Sequence, residues 1–377
     1  MRIGILTLPL HTNYGGILQA YALQTVMERM GHEVVVANKR EISTNALYKT
    51  PFIVLHRIWN KCIRKQNVQL FPEYYEQCIF PVTRKKVNDF IEKYIHLVQI
   101  RCYAQYFKSN PVDAIVVGSD QVWRPCYVDS LEDYFIGFDT KSKFRRIAYA
   151  ASFGVDKWEF DKVQTSRCSE LLKRFDAISV RENSGVLLCK QYLDREALHV
   201  LDPTMLLKRT DYLKIIETQN KSRKDRGMFC YVLDESERKS QIIALAASFL
   251  NQPPFFVKAE KETSIKNFLV HKSECVVPGV DEWIQSFENA GIVLTDSFHG
   301  CVFSIIFHKP FWVVINPQRG SARFSSLLSI LHLEDRVISI DDKQNIDWSK
   351  PINWSEVDNH WENMRRTSLE FLTNSLS

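Results

Sequence analysis

Short apolar runs that each end in a small or polar tip, with helical spacing between them, restrict the fold of this chain more than any other feature. Residues 2–7 alternate apolar and small side chains, as a short buried strand does. Pro9-Leu10-His11-Thr12-Asn13-Tyr14-Gly15-Gly16 follows as a turn-rich loop. Ile17, Leu18, Tyr21, Ala22, Gln24, Thr25 and Met30 then recur at helical spacing, and Gly31 stands where a helix C-cap belongs. Glu33 to Ala37 reads as a second strand. A strand–helix–strand opening of this kind predicts a parallel sheet.

The theme repeats. From Ile42 to about Ser109 the chain is mostly helical, aromatic and basic. Val112 to Asp120, Arg146 to Ala151, Phe175 to Val180 and Leu198 to Leu201 read as strands with polar tips. A second half starts near Arg226. Met228–Leu233, Phe255–Lys258, Glu274–Val277, Gly291–Asp296 and Phe311–Ile315 read as its strands. Lys239–Leu250, Asp281–Ala290, a segment starting at Cys301 and Ser325–Leu331 read as its helices, and Trp354–Leu376 as a terminal helix. The expected architecture is α/β, with two Rossmann-like domains facing a cleft. The first spans 1–205, with the basic helical insertion at 42–109. The second spans 206–345, and the terminal helix, 346–377, folds back on the first domain. Open parallel sheets bind ligands outside the carboxyl ends of their strands, so the crevice between the halves is the expected site.

Composition excludes several classes. The chain has 377 residues, 45% hydrophobic and 25% charged, as a folded globular chain does. No apolar run approaches the roughly 18 residues of a membrane span. The first residues are too short an apolar stretch for a signal peptide, so a cytoplasmic location is expected. Nine scattered cysteines, without a Cys-x-x-Cys pair, read as reduced thiols rather than a disulfide or zinc framework. The net charge of +5 is concentrated: Arg40 to Asn110 holds twelve Lys/Arg against five Asp/Glu. That segment is either a solvated helical face or a contact for an anionic acceptor or the membrane that carries one. With no zinc finger, no aromatic–basic platform and no strongly basic domain, nucleic acid is not an expected partner.

His299 is the sharpest candidate for chemistry. It follows a buried strand, precedes an apolar helix and has Gly300 beside it, a setting in which amide N–H groups favour anions. A histidine that caps its own helix fits the same pattern. Arg181 sits at a strand tip, where a fixed guanidinium suits a carboxylate or phosphate, or an internal partner such as Glu182. Arg319 and Arg323 lie in a Gly-Ser loop that can close over a phosphate or remain an exposed basic loop. In Gly118-Ser119-Asp120-Gln121-Val122-Trp123, Asp120 can take a proton from a hydroxyl and Trp123 can stack on a sugar. A structural turn around a buried Trp explains this segment equally well. Asn13, Tyr14, Gly15 and Gly16 can cradle an anion or a sugar, but form neither a Walker motif nor G-x-G-x-x-G.

Taken in order, these segments resemble the polysaccharide pyruvyl transferase family. The carriers are Ile3-Gly4-Ile5-Leu6 with Asn13-Tyr14-Gly15-Gly16 and Leu18-Gln19-Ala20-Tyr21-Ala22-Leu23; Val117 to Trp123; Tyr149-Ala150-Ala151-Ser152-Phe153-Gly154; Ser179-Val180-Arg181-Glu182; Leu201-Asp202-Pro203-Thr204; and Thr295-Asp296-Ser297-Phe298-His299-Gly300. The resemblance implies a GT-B-like fold. It also implies pyruvyl transfer from phosphoenolpyruvate to two hydroxyls of a sugar or lipid-linked glycan, giving a cyclic ketal and phosphate. It places His299 at the donor, with Ser297 where the family motif carries Arg, so that Arg319 or Arg323 would have to supply that charge. On this reading His299 and Asp120 are catalytic. Arg181, Ser297, Gly300, Arg319 and Arg323 hold the donor. Asn13, Tyr14, Gly15, Gly16, Ser119 and Trp123 face the acceptor. The chemistry requires no metal and no cofactor besides the co-substrate, and no His/Asp/Glu cluster shows metal-ligand spacing along the chain. A nucleotide-sugar glycosyltransferase of the same fold and a non-catalytic glycan-binding relative are the alternatives.

Overall fold

The computed structural model describes residues 1–39, 59, 74–139, 141–216, 227–315, 321–339 and 346–377. Most of the basic segment, residues 40–58 and 60–73, and residues 316–320, Arg319 among them, lie outside the described residues.

The first sheet holds β1 (Arg2–Leu6), β2 (Glu33–Lys39), β3 (Leu97–Ile100), β4 (Ala114–Val117), β5 (Arg145–Ala151), β6 (Ala177–Val180) and β7 (Leu198–His199). Its order is β3-β2-β1-β4-β5-β6-β7, and every pair is parallel. The second sheet holds β8 (Met228–Tyr231), β9 (Pro254–Phe255), β10 (Ile292–Thr295), β11 (Phe311–Ile315) and β12 (Val337–Ser339), in the order β12-β11-β10-β8-β9, also parallel throughout. Among the described residues, the helices of eight residues or more are α1 (Tyr14–Arg29), α2 (Lys85–Tyr94), α3 (Lys162–Leu172), α4 (Asn183–Leu193), α5 (Arg209–Ile216), α6 (Glu237–Leu250), α7 (Val280–Asn289), α8 (Phe298–Ile306), α9 (Ala322–Ile330) and α10 (Trp354–Leu376).

Central strands buried on both faces read as continuous apolar runs. Ala114-Ile115-Val116-Val117 and Ile292-Val293-Leu294-Thr295 are of this kind, buried at every position. In both sheets the strand order reverses at a central point. It does so between β1 and β4 in the first, and between β8 and β10 in the second. Ligand sites in such sheets lie at these reversals. The segments that leave them are the α1 N-terminus after β1, the Gly118–Trp123 turn after β4 and the α8 N-terminus after β10.

Local sequence explains the ends of these elements. Asn13 caps α1, its Oδ1 accepting from Gly16 N–H at 3.2 Å. At the other end Gly31 takes φ +86°, with Gly31 N–H donating to Glu28 O and His32 N–H to Met27 O. α10 packs against the first sheet. Leu201 N–H donates to Ser368 Oγ at 3.0 Å, and the Phe371 ring lies 6.2 Å from that of Tyr149. Trp361 Nε1 donates to Met205 O, in the 3₁₀ turn that follows the sheet. No described helix is long and apolar enough to cross a membrane.

Some elements differ from expectation. α1 starts at Tyr14 rather than after Gly16, so both glycines occupy its first turn. α8 likewise starts at Phe298, ahead of Cys301, and takes His299 into its first turn. β3 lies inside the segment read as helical; four residues at a sheet edge carry too little periodicity to declare themselves. The segment at 274–277 is not a strand. Lys272–Cys275 forms a 3₁₀ turn, and Val277 N–H donates to Thr83 O.

Candidate active site

The two reversal points meet. A Cβ on Gly15 would stand 2.0 Å from His299 Nδ1 and 2.2 Å from its Cγ, so the first turn of α1 lies directly on the imidazole. A Cβ on Gly16 would stand 3.4 Å from Asp120 Oδ2. Glycine is required at position 15 by this close approach.

Asp202 is the hub beneath them. Arg181 Nη1 donates to its Oδ2 at 2.8 Å, and Ser119 Oγ donates to the same oxygen at 3.2 Å. Thr204 donates to Oδ1 from its N–H and its hydroxyl, at 3.0 and 2.6 Å. His299 Nε2 lies 3.5 Å from Oδ2, in ion-pairing range rather than in a formed hydrogen bond. Burial alone would raise this carboxyl's pKa. His299, Arg181 and Thr204 outweigh that and hold it well below the usual carboxylate range.

Arg181 stands between two acids. Its Nη2 lies 3.6 Å from Asp120 Oδ1, and its guanidinium lies 4.9 Å from the Phe298 ring centroid. Arg323 reaches the same ring from α9, at 5.7 Å. Burial first, and then the like charge of Arg181, lower the Arg323 pKa to about 10. The same small volume collects buried polar atoms without hydrogen-bond partners: Arg181 Nε and Nη2, Arg323 Nε, His299 Nε2 and Glu182 Oε2. Buried polar groups are normally satisfied, so orphans gathered at a sheet reversal describe a place prepared for a polar ligand.

The His299 turn is held rigidly. Asp296 accepts from Leu233 N–H at 2.7 Å and from Lys239 Nζ at 2.6 Å, which ties the end of β10 to the loop after β8. Ser297 caps α8 by accepting from Gly300 N–H at 3.4 Å. A Cβ on Gly300 would stand 2.2 Å from Thr295 Oγ1, so this glycine lets α8 pack onto β10.

Thus the fold brings Gly15, Gly16, Ser119, Asp120, Arg181, His299 and Arg323 together. Asn13 is exposed beside them and caps α1. Other assignments require correction. Trp123 is fully buried, stacked 4.9 Å from Phe135, with Nε1 donating to Tyr134 O; it has no free face for a sugar. Tyr14 is a brace between the halves rather than an acceptor contact. Its hydroxyl donates to Pro278 O at 2.8 Å, and its ring stacks 5.4 Å from Trp283. Ser297 and Gly300 shape the start of α8.

The family model for polysaccharide pyruvyl transferase matches residues 13–318, a span that includes every residue of this cluster except Arg323. The chain belongs to the polysaccharide pyruvyl transferase family. Membership makes it a transferase and implies a glycan acceptor. No curated protein matches the chain. Among solved structures it is similar to UGT89C1 of Arabidopsis thaliana complexed with UDP-L-rhamnose, at 9% identity and a TM-score of 0.50, covering 100% of this chain and 98% of that one. The kitacinnamycin glycotransferase superposes with a TM-score of 0.48 at 9% identity, covering 100% and 99%. The fold of this pyruvyl transferase family member is therefore GT-B-like.

Two site residues escaped the sequence reading. Asp202 stood in a strand-tip motif with few visible partners, because all its contacts but Thr204 come from three segments remote in sequence. Glu182 was read only as a partner for Arg181. Instead its Oε1 accepts from Ser152 Oγ and from the amides of Phe153 and Gly154, at 2.7–3.1 Å.

Gly15→Ala is expected to fold and to lose activity roughly 10²-fold, because the new methyl displaces either α1 or the imidazole by about an ångström or more. Steady-state kinetics beside circular dichroism tests this. Activity close to wild type would mean that the contact between α1 and His299 has no part in turnover.

Proposed function

We propose that this protein transfers the pyruvyl group of phosphoenolpyruvate to two hydroxyls of a sugar in a polysaccharide or glycan precursor, forming a cyclic ketal and releasing phosphate. The observation that carries this reading is the pair of guanidiniums, Arg181 and Arg323, over Phe298, with orphaned N–H groups beside His299. A ligand with both a carboxylate and a phosphate needs convergent cations of this kind. Arg323 supplies from α9 the positive charge that the family motif carries where Ser297 stands.

The roles follow from position. Nδ1 of His299 lies under Gly15, so Nε2 is the atom left to give a proton to C3 of the donor. The oxocarbenium-like centre formed at C2 is attacked by the first hydroxyl, whose proton passes to Asp120. Phosphate leaves C2 with the proton held by Asp120. The second hydroxyl then attacks C2 and closes the ketal, and its proton returns to His299. His299 and Arg181 are 6% and 3% exposed, so admission of the donor requires the contact between α1 and α8 to part.

The experiment is calorimetric. Phosphoenolpyruvate is expected to bind the wild-type protein. Arg323→Ala should weaken it about ten- to a hundredfold, the loss of one charge-assisted contact of roughly 1.5–3 kcal/mol. Thermal stability should hold or rise, because at neutral pH this guanidinium is a buried cation beside another cation. Binding of UDP or GDP with no binding of phosphoenolpyruvate would overturn the donor and favour a nucleotide-sugar glycosyltransferase.

A further inference from the structure

A second cluster of titratable side chains lies on the surface, among residues that the site above does not use. His332 follows α9, while Glu356 and His360 sit one turn apart near the start of α10. One ligand atom of each falls within 4.8 Å of the others. His332 Nδ1 is 3.2 Å from Glu356 Oε1, and the two imidazole centroids are 4.3 Å apart. Zinc binds imidazole nitrogen at roughly 2.0–2.1 Å, which puts tetrahedral ligands roughly 3.3 Å from one another. The spacing therefore needs only side-chain adjustment to close on an ion.

The supports of these ligands are already in place. His332 takes φ +55° in a turn fixed by Leu333 N–H donating to Leu328 O at 2.8 Å. Glu356 and His360 are separated by four residues on a helix, so they share a face. Asn353 caps that helix, and its Nδ2 donates to Glu356 Oε2 at 3.2 Å, which turns Oε1 toward His332. A ligating carboxylate oriented by an outer hydrogen bond is the usual arrangement at metal sites.

We infer that His332, Glu356 and His360 form a binding site for a borderline divalent cation, Zn²⁺ first, that staples α10 to the end of α9. Two imidazoles and one carboxylate select Zn²⁺, Co²⁺, Ni²⁺ or Cu²⁺ over Mg²⁺ and Ca²⁺, and leave the remaining positions to water. The ion joins residues 24 positions apart in sequence. Because α10 also packs on the first sheet, the staple links the helix that closes the chain to the second half.

Isothermal titration of the full chain with zinc chloride, beside His332→Ala/His360→Ala, tests this. His332 is exposed and His360 half-buried, neither in the core, so the variant is expected to keep its fold, and it keeps all its cysteines. The expected result is one equivalent of zinc bound by the wild type, with a rise in Tm, and both effects lost in the double variant. Cobalt should give a weak visible spectrum without the intense near-ultraviolet band of thiolate ligands. Equal zinc binding by wild type and variant would assign the metal to cysteines and overturn the site. Absence of binding by the wild type at sub-millimolar zinc would overturn it equally.

Discussion

His299→Gln should leave both sheets folded and lower kcat by on the order of 10²–10⁴, the usual worth of a positioned general acid. The motivation is the convergence at one ring. Gly15 covers Nδ1, Asp202 stands 3.5 Å from Nε2, and Nε2 has no hydrogen bond. An acid role and a binding role separate in the kinetics. If the ring delivers a proton to C3, kcat falls and KM for the donor changes little. If it only holds phosphate, KM rises, and Gln recovers part of the loss because an amide still donates a hydrogen bond. Turnover like that of the wild type in His299→Gln would remove the catalytic role and leave a residue of the first helical turn.

Where sequence reading succeeded, the signal was local. Buried parallel strands such as Ala114–Val117 and Ile292–Thr295 are uniform apolar runs, and Gly31 announced the end of α1 because an αL position after a helix selects glycine. The place of His299 at a helix start, just after β10, was legible for the same reason: strand, turn and helix start are adjacent in the chain. What was not legible depends on contacts distant in sequence. Trp123 looked like a sugar platform because a tip aromatic is ambiguous until Phe135 and Phe153 are seen to enclose it. Tyr14 resembled a ligand contact because its true partners, Pro278 and Trp283, lie in the other half. Asp202 is the clearest case: Ser119, Arg181, Thr204 and His299 reach it from different elements, and three of the four are far from it along the chain. The cluster of His332, Glu356 and His360 escaped for the same reason. Glu356 and His360 show helical spacing, but only the fold brings His332 to them.

Asp202→Ala is expected to be the most disruptive single substitution at the site. Its side chain and that of Arg181 are 0% and 1% exposed, so removing the acid strands a buried cation, a change that costs about 3–5 kcal/mol. Urea denaturation at pH 7 measures it. The pH dependence follows from the depressed carboxyl. In the folded wild type the group stays ionised below the range in which an unfolded aspartate protonates. Its stabilising contribution is therefore complete above about pH 4. It declines as the pH falls below that value and disappears once the folded carboxyl itself protonates. The stability gap between wild type and Asp202→Ala should accordingly narrow with acidification, and a gap independent of pH would mean that packing, not charge, is lost. A second variant separates stability from function. In Asp202→Asn/Arg181→Met both charges are gone, so no cation is stranded, and much of the stability should return. Activity should not, because His299 has lost its counter-charge and the donor has lost a guanidinium. If the double variant regained turnover along with stability, the Arg181–Asp202 pair would be a structural ion pair and the donor would be held elsewhere.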